Sequence, residues 1–181
     1  WYRKALRQAD RLTAAHAAKR LDELKSQIVD LGWVNIPKKA VIYVASGTNC
    51  QVYLNGESLI STSYRVGRAD VTLKRGDILT VRAGRQVGNA SFGYGRGFAC
   101  VIVYEGSSAP VVTDRTGDWE AYVPSDATFW YKPENVARTV PHLASLNAGH
   151  IELRTQSGFA ARSIWYSGGD TSEAYFLFRV K

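Results

Sequence analysis

Three carboxylates, Asp114, Asp118 and Glu120, fall within seven residues of a 181-residue chain. Carboxylates so close could bind calcium through their oxygens, and two of them could act as the acid and base of a glycosidase. Glycosidase pairs, however, sit on separate rigid strands about 5–10 Å apart. Three acids in one turn are more simply a solvated loop. The sequence thus offers Asp114, Asp118 and Glu120 as a candidate structural calcium site, no other cofactor, and no catalytic constellation.

The remaining chemistry-bearing types are sparse. His16, His142 and His150 lack the spacing of a zinc site. The run "GNASFGYGRGF", residues 88–98, is glycine-rich and carries Tyr94 and Arg96. A phosphate loop must follow a strand and open a helix, whereas these glycines precede the strand-like "FACVIVYEG". Cys50 lies in "NCQVYL" in phase with Val52 and Leu54, and Cys100 lies in "FACVIVY" in phase with Phe98 and Ile102. Both thiols therefore point towards a core, either as inert buried thiols or as a disulfide closing a loop of about 50 residues, worth about 4 kcal/mol.

Aromatic residues are plentiful: 5 Trp, 10 Tyr and 6 Phe. Sugar rings stack on flat aromatic faces while polar neighbours take their hydroxyls. In "TFWYK", read as a strand, Trp130 and Tyr131 lie on opposite faces, so that one should point outwards. Trp165 and Tyr166 repeat the arrangement. The candidate ligand-binding residues are therefore Trp130, Tyr131, Trp165 and Tyr166, with Tyr94 and Arg96 from the glycine-rich loop. Against this stands the routine use of Trp and Tyr in β cores.

Net charge is +7. Seven Lys/Arg against four Asp/Glu occupy the first 30 residues, and the rest is spread without a block of like charge. This argues against a nucleic-acid partner while leaving nonspecific attraction to anionic surfaces. No apolar run reaches the ~18–20 residues needed to span a bilayer. The chain opens at Trp1 and holds no methionine, so a preceding segment is expected to have been trimmed.

The elements that must position these residues are legible from periodicity. Residues 2–31 read as one long helix, rich in Ala, Leu, Lys and Arg, with Leu21, Leu24, Ile28 and Leu31 on one seam and Gly32 as its stop. It forms a first unit, residues 1–32, suited to packing or to self-association as a stalk. From Lys38 the period changes to two. Short runs including "AVIYVAS", "CQVYLNG", "FACVIVYEG", "TFWYK", "HIELRT", "RSIWYS" and "AYFLFRV", separated by turn residues, mark residues 38–181 as an all-β domain. Asn55-Gly56 predicts a two-residue hairpin turn, and residues 132–149 read as an irregular insertion with a short helical turn. Arg75-Gly76-Asp77 matches the integrin-binding tripeptide, but between "DVTL" and "ILTV" it reads as a hairpin bend needing a positive-φ glycine.

Taken in order, "QVYLNGESL", "ADVTLKRGDILTVRA", "VVTDRTGDWEAY" and "SIWYSGGDTSEAYFLFRVK" resemble galactose-binding-like jelly-roll modules, as found beside bacterial α-L-rhamnosidases and in other secreted proteins. Here the tryptophan–"YFLFR" phrase closes the domain, whereas in those modules it opens it, and the N-terminal helix is no part of the pattern. The resemblance implies an antiparallel jelly-roll-like β-sandwich, usually without catalysis, binding sugars or proteins and often holding structural calcium. The expected function is a noncatalytic binding or accessory module of an extracytoplasmic (secreted, periplasmic or surface) protein, with carbohydrate as ligand. The alternatives are an oligomerising stalk-and-head structural or adhesive protein and a glycan-active enzyme.

Overall fold

The computed structural model describes residues 37–85, 97–114, 118–140, 143–149, 151–166 and 172–181, with Thr13, Ala14, His16, Ala17, Lys19 and Arg20. The chain divides into two compact units, Trp1–Ile36 and Pro37–Lys181. In the first, the helix expected over 2–31 lies for the most part outside the described residues, and the six positions described there are helical.

The second unit is mainly β. Its strands are β1 (Lys38–Ala45), β2 (Asn49–Leu54), β3 (Glu57–Ser63), β4 (Gly67–Leu73), β5 (Ile78–Gly84), β6 (Ala99–Tyr104), β7 (Val111–Val112), β8 (Trp119–Pro124), β9 (Val136–Val140), β10 (Leu143–Gly149), β11 (Arg162–Tyr166) and β12 (Glu173–Arg179). They form a six-stranded sheet in the order β3-β2-β5-β12-β8-β9, a four-stranded sheet β4-β1-β6-β7 and a hairpin β10-β11. All pairings are antiparallel. Consecutive strands repeatedly change sheet, so each strand finds much of its pairing far along the chain.

Alternation explains why the sheets face each other. Register aligns Cys50–Ala83–Ala174, Val52–Val81–Phe176–Ala121 and Leu54–Leu79–Phe178–Trp119 across the six-stranded sheet, and most of these side chains are buried. On the four-stranded sheet Ile42, Val44, Cys100 and Ile102 do the same. Phe98, just before β6, stacks on Phe176 at 5.0 Å and meets Trp119 edge-on at 5.1 Å. Residues of both sheets thus share one aromatic core in a sandwich-like arrangement. Cys50 and Cys100 point into it as free thiols, and burial pushes the Cys50 thiol up to about 12.

Three segments depart from the periodicity. "HIELRT" reads as a strand, yet Ile151–Ser157 is a short helix. Its single buried side chain, Leu153, packs on Ala45, Ala99 and Val101, a demand that one helical turn meets as well as a strand. Residues 132–149 hold the expected helical turn, a 3-10 turn at Pro133–Asn135, but also strands β9 and β10. "TFWYK" is no strand but a series of turns, for reasons given below.

The turns carry the most specific local chemistry. Asn55 (φ 51) and Gly56 (φ 87) make the predicted hairpin turn. The Lys74–Asp77 turn has Gly76 at φ 90, as expected, but it is not a hairpin bend. The strands it joins, β4 and β5, belong to different sheets. Asp77 is buried, accepting hydrogen bonds from Lys74 N at 2.8 Å and Asn55 Nδ2 at 2.9 Å. Asn55 Oδ1 in turn accepts from Ile78 N. A carboxylate spent this way is unavailable to an adhesion receptor. In equilibrium urea unfolding, Asp77→Ala is expected to cost about 1–3 kcal/mol, because two part-buried donors, Lys74 N and Asn55 Nδ2, lose the carboxylate that accepts from them. The exposed Arg75→Ala should stay within about 0.5 kcal/mol of the parent, and equal effects of the two would contradict this assignment.

Candidate functional site

The outer face of the six-stranded sheet is not uniformly polar. Register places Tyr53, Thr80 and Leu177 side by side on it, with Tyr175 and Tyr122 in the neighbouring row. Leu177 is as buried as the core residues behind it, so something must cover it, and residues 125–135 do. A covering loop brings polar backbone onto an apolar surface, where an unpaired carbonyl costs about 1–3 kcal/mol. Two sheet hydroxyls meet that need: Thr80 Oγ1 donates to the Tyr131 carbonyl at 2.9 Å, and Tyr122 Oη donates to the Trp130 carbonyl at 2.7 Å. The loop closes on itself through Ser125 N to Asn135 O at 2.7 Å and Asn135 Nδ2 to Phe129 O at 2.9 Å. A strand would have left both hydroxyls and Leu177 uncovered.

This arrangement builds an aromatic wall. Trp130, only 4% exposed, lies edge-on to Tyr53 at 5.2 Å and tilted against Tyr175 at 5.6 Å. Tyr131 stacks on Tyr53 at 4.5 Å. Phe129 stands outermost, 43% exposed, with Lys132 Nζ 5.0 Å from its ring centre. Tyr53, Tyr131 and Tyr175 are half-buried.

Beside the wall the sheet stays open and polar. One row runs Ser61–Gln51–Arg82–Tyr175 from β3 to β12. Next to it, Glu173 lies opposite Gly84. Arg82 donates to Glu173 from Nη2 at 2.7 and 2.8 Å and from Nε at 3.2 Å, and their side chains are 34% and 38% exposed. The hydrogen bonds it donates to Glu173 hold the Arg82 guanidinium above its ordinary pKa. The shelf spans three interstrand gaps, about 15 Å, and its groups project from strands, which position side chains more closely than loops do.

The structure distributes the residues expected from sequence unevenly. Trp130 is buried and Tyr131 half-buried in the wall, so any stacking face there belongs to Tyr131 and Phe129 and not to the tryptophan. Trp165, 1% exposed, sits in the core against Phe176 at 5.9 Å, with Arg85 over its ring at 5.1 Å. Tyr166 ends β11 with its side chain outside the description, and Tyr94 and Arg96 fall outside the described residues. The acidic trio does not converge: Asp118 is ion-paired with Lys181, exposed Glu120 stands opposite Leu177 on β12, and among the described residues no group of three His, Cys, Asp or Glu could hold a metal. A calcium site at Asp114, Asp118 and Glu120 therefore has no geometric support. Gln51, Tyr53, Arg82, Glu173 and Tyr175 were missed by the sequence reading. Their signal is their phase, since each alternates with a buried neighbour on its strand.

A second concavity, an open groove of about 480 Å³, lies on the outer face of the four-stranded sheet. The short helix covers the other half of that face, leaving Val41 and Val103 beside Lys39, Asp70, Thr72 and Glu105. Its lining holds a single aromatic ring, that of Tyr104. The shelf is chemically the better site.

The wall also sets an alkaline limit on stability. Burial, and then the nearby Tyr175, push the Tyr122 phenol well above its ordinary value of 10.0. Folding favours its neutral form, so the unfolded chain ionises first as pH rises past 10. The stability this contributes is complete below that pH and lost above it. Tyr122→Phe is expected to cost about 1–2 kcal/mol at neutral pH through the Trp130 carbonyl and to flatten the fall in urea midpoint above pH 10. An unchanged alkaline slope in the variant would refute the assignment.

Set against protein-family models, curated proteins and solved structures, the chain matches none of them.

Proposed function

We propose that this chain is a noncatalytic carbohydrate-binding module of an extracytoplasmic protein, with a jelly-roll-like β-sandwich as its scaffold. The strand order, with its repeated changes of sheet, supports the jelly-roll reading. The observation that carries the ligand class is the junction of wall and shelf. The exposed ring of Phe129 and the half-buried rings of Tyr131, Tyr53 and Tyr175 border planar hydrogen-bonding side chains at Gln51, Arg82 and Glu173, all on the outer face of one sheet or on the loop packed against it. Rings offer apolar faces and edges to the C–H side of a sugar, and planar polar groups take its hydroxyls. Burial of Trp130 and Trp165 removes tryptophan stacking from this reading and moves the site onto the tyrosines and Phe129.

Of the acids offered for the enzyme alternative, Asp118 is ion-paired with Lys181, and the shifted groups Cys50, Cys100, Tyr104 and Tyr122 owe their shifts first to burial in the scaffold.

A glycan array probed with the full chain, with calcium and with chelator and at two salt concentrations, should show selective binding that survives both chelator and salt. Phe129→Ala should then weaken it several-fold, by the ~0.5–1.5 kcal/mol of one aromatic contact. Absence of any bound glycan, or binding that vanishes with salt, would leave only the nonspecific field of the +7 charge and sink the proposal.

The stalk-and-head reading draws on the division into two units and on the helical state of the six described N-terminal positions. It predicts that the full chain sediments as an oligomer while a chain beginning at Pro37 sediments as a monomer. Two monomers would end it.

A further inference from the structure

The overall charge and the local charge of the shelf point to different ligands. At +7, the molecule as a whole attracts anions such as sulfated or carboxylated polysaccharides, but that attraction is screened over about 8 Å in physiological salt. Among the described residues the shelf holds one cation, Arg82, cancelled by Glu173 through three hydrogen bonds. Its row neighbours Ser61, Gln51 and Tyr175 carry no charge at neutral pH.

We infer that the ligand of this face is a neutral, hydroxyl-rich glycan, held by the Arg82–Glu173 pair acting as one dipolar unit. This inference rests on the carbohydrate reading above and narrows it. The pair engages Nε and Nη2 of the guanidinium, so the Nη1 donors lie outside it. A guanidinium only donates and a carboxylate only accepts. A hydroxyl does both, so two adjacent sugar hydroxyls match the pair, one accepting from Arg82 and the other donating to Glu173. A sugar carboxylate or sulfate could use only the Arg82 half. It would meet the like charge of Glu173 at hydrogen-bonding range, a repulsion that a neutral hydroxyl does not meet. With its side chains about one-third exposed, the ion pair itself contributes little to stability. Its geometry can therefore adjust to a ligand at small cost to the fold.

The test is calorimetric titration of the full chain with neutral xylan, glucan and mannan oligosaccharides and with heparin and polygalacturonate oligosaccharides, each at low and high salt. The expected result is a neutral oligosaccharide whose affinity changes less than about twofold with salt, while anionic binding collapses. Arg82→Gln should weaken the neutral ligand about tenfold or more, since a hydrogen bond to a charged group is worth about 1.5–3 kcal/mol. Glu173→Gln uncouples Arg82 and should raise salt-resistant affinity for the uronate oligosaccharide, a gain that a misfolded variant could not give. Salt-resistant binding of an anionic glycan by the parent protein, or no change of preference in Glu173→Gln, would overturn the inference while leaving the carbohydrate reading intact. Failure of every glycan to bind would remove both.

Discussion

Strand β12 buries apolar side chains on both of its faces, Leu177 on the outer one, and much of the architecture of the second unit answers that constraint. Phe176 and Phe178 point into the space between the sheets, while Leu177 points the opposite way and is buried just as completely. A strand in the middle of a sheet can satisfy one apolar face with the facing sheet; the second face needs its own cover. Burying a leucine contributes about 1.5–3 kcal/mol, and the loop that does so brings two carbonyls whose desolvation could cancel the gain. Thr80 and Tyr122 prevent that cancellation by donating to those carbonyls. The aromatic wall is therefore a structural consequence before it is anything else: the loop is there for Leu177, and Trp130, Tyr131 and Phe129 arrive with it.

The C-terminal end of the same strand is tied to the corner between the sheets. Gly76 N donates to Val180 O and Val180 N to Asp77 O, both at 2.9 Å, while the Asp77 carboxylate holds Lys74 N and Asn55 Nδ2. One buried acid thus joins the β2–β3 hairpin turn, the β4–β5 corner and the end of β12. The aspartate of the Arg-Gly-Asp tripeptide is thus engaged inside the fold. The glycine meets the φ of the turn and the aspartate works inside the molecule.

What the sequence discloses follows from which constraints are local. Period-two alternation identifies β1, β2, β5, β6 and β12, and the inward phase of Cys50 and Cys100, because each depends only on near neighbours. Asn55-Gly56 is legible for the same reason. The segment 125–135 is not, because its conformation answers Leu177 and Thr80, about 50 residues away in either direction; "TFWYK" has the composition of a strand and a tertiary reason not to be one. The short helix at Ile151–Ser157 fails similarly, since its one buried anchor, Leu153, fits either period. Of the candidate site, Tyr131 was visible as an aromatic, whereas Arg82 and Glu173 are 91 residues apart and become neighbours only when β5 pairs with β12.

That pairing also explains why a protein with excess positive charge presents a neutral shelf. In the β5–β12 register Arg82 lies opposite Tyr175, and Glu173 lies two pairs further along and so on the same face, opposite Gly84. The missing side chain at Gly84 leaves the diagonal open. A Cβ there would come against Asn49 Oδ1 and Thr48 Oγ1, the residues that border this corner of the sheet. Glycine at 84 lets the Thr48–Asn49 turn fold in beside the shelf, and β12 supplies the carboxylate that cancels the only cation on its row. Charge elsewhere on the molecule can be redistributed without altering this local balance. The local charge of the face is thus set by strand register, and the net charge governs only how the protein meets charged surfaces at a distance.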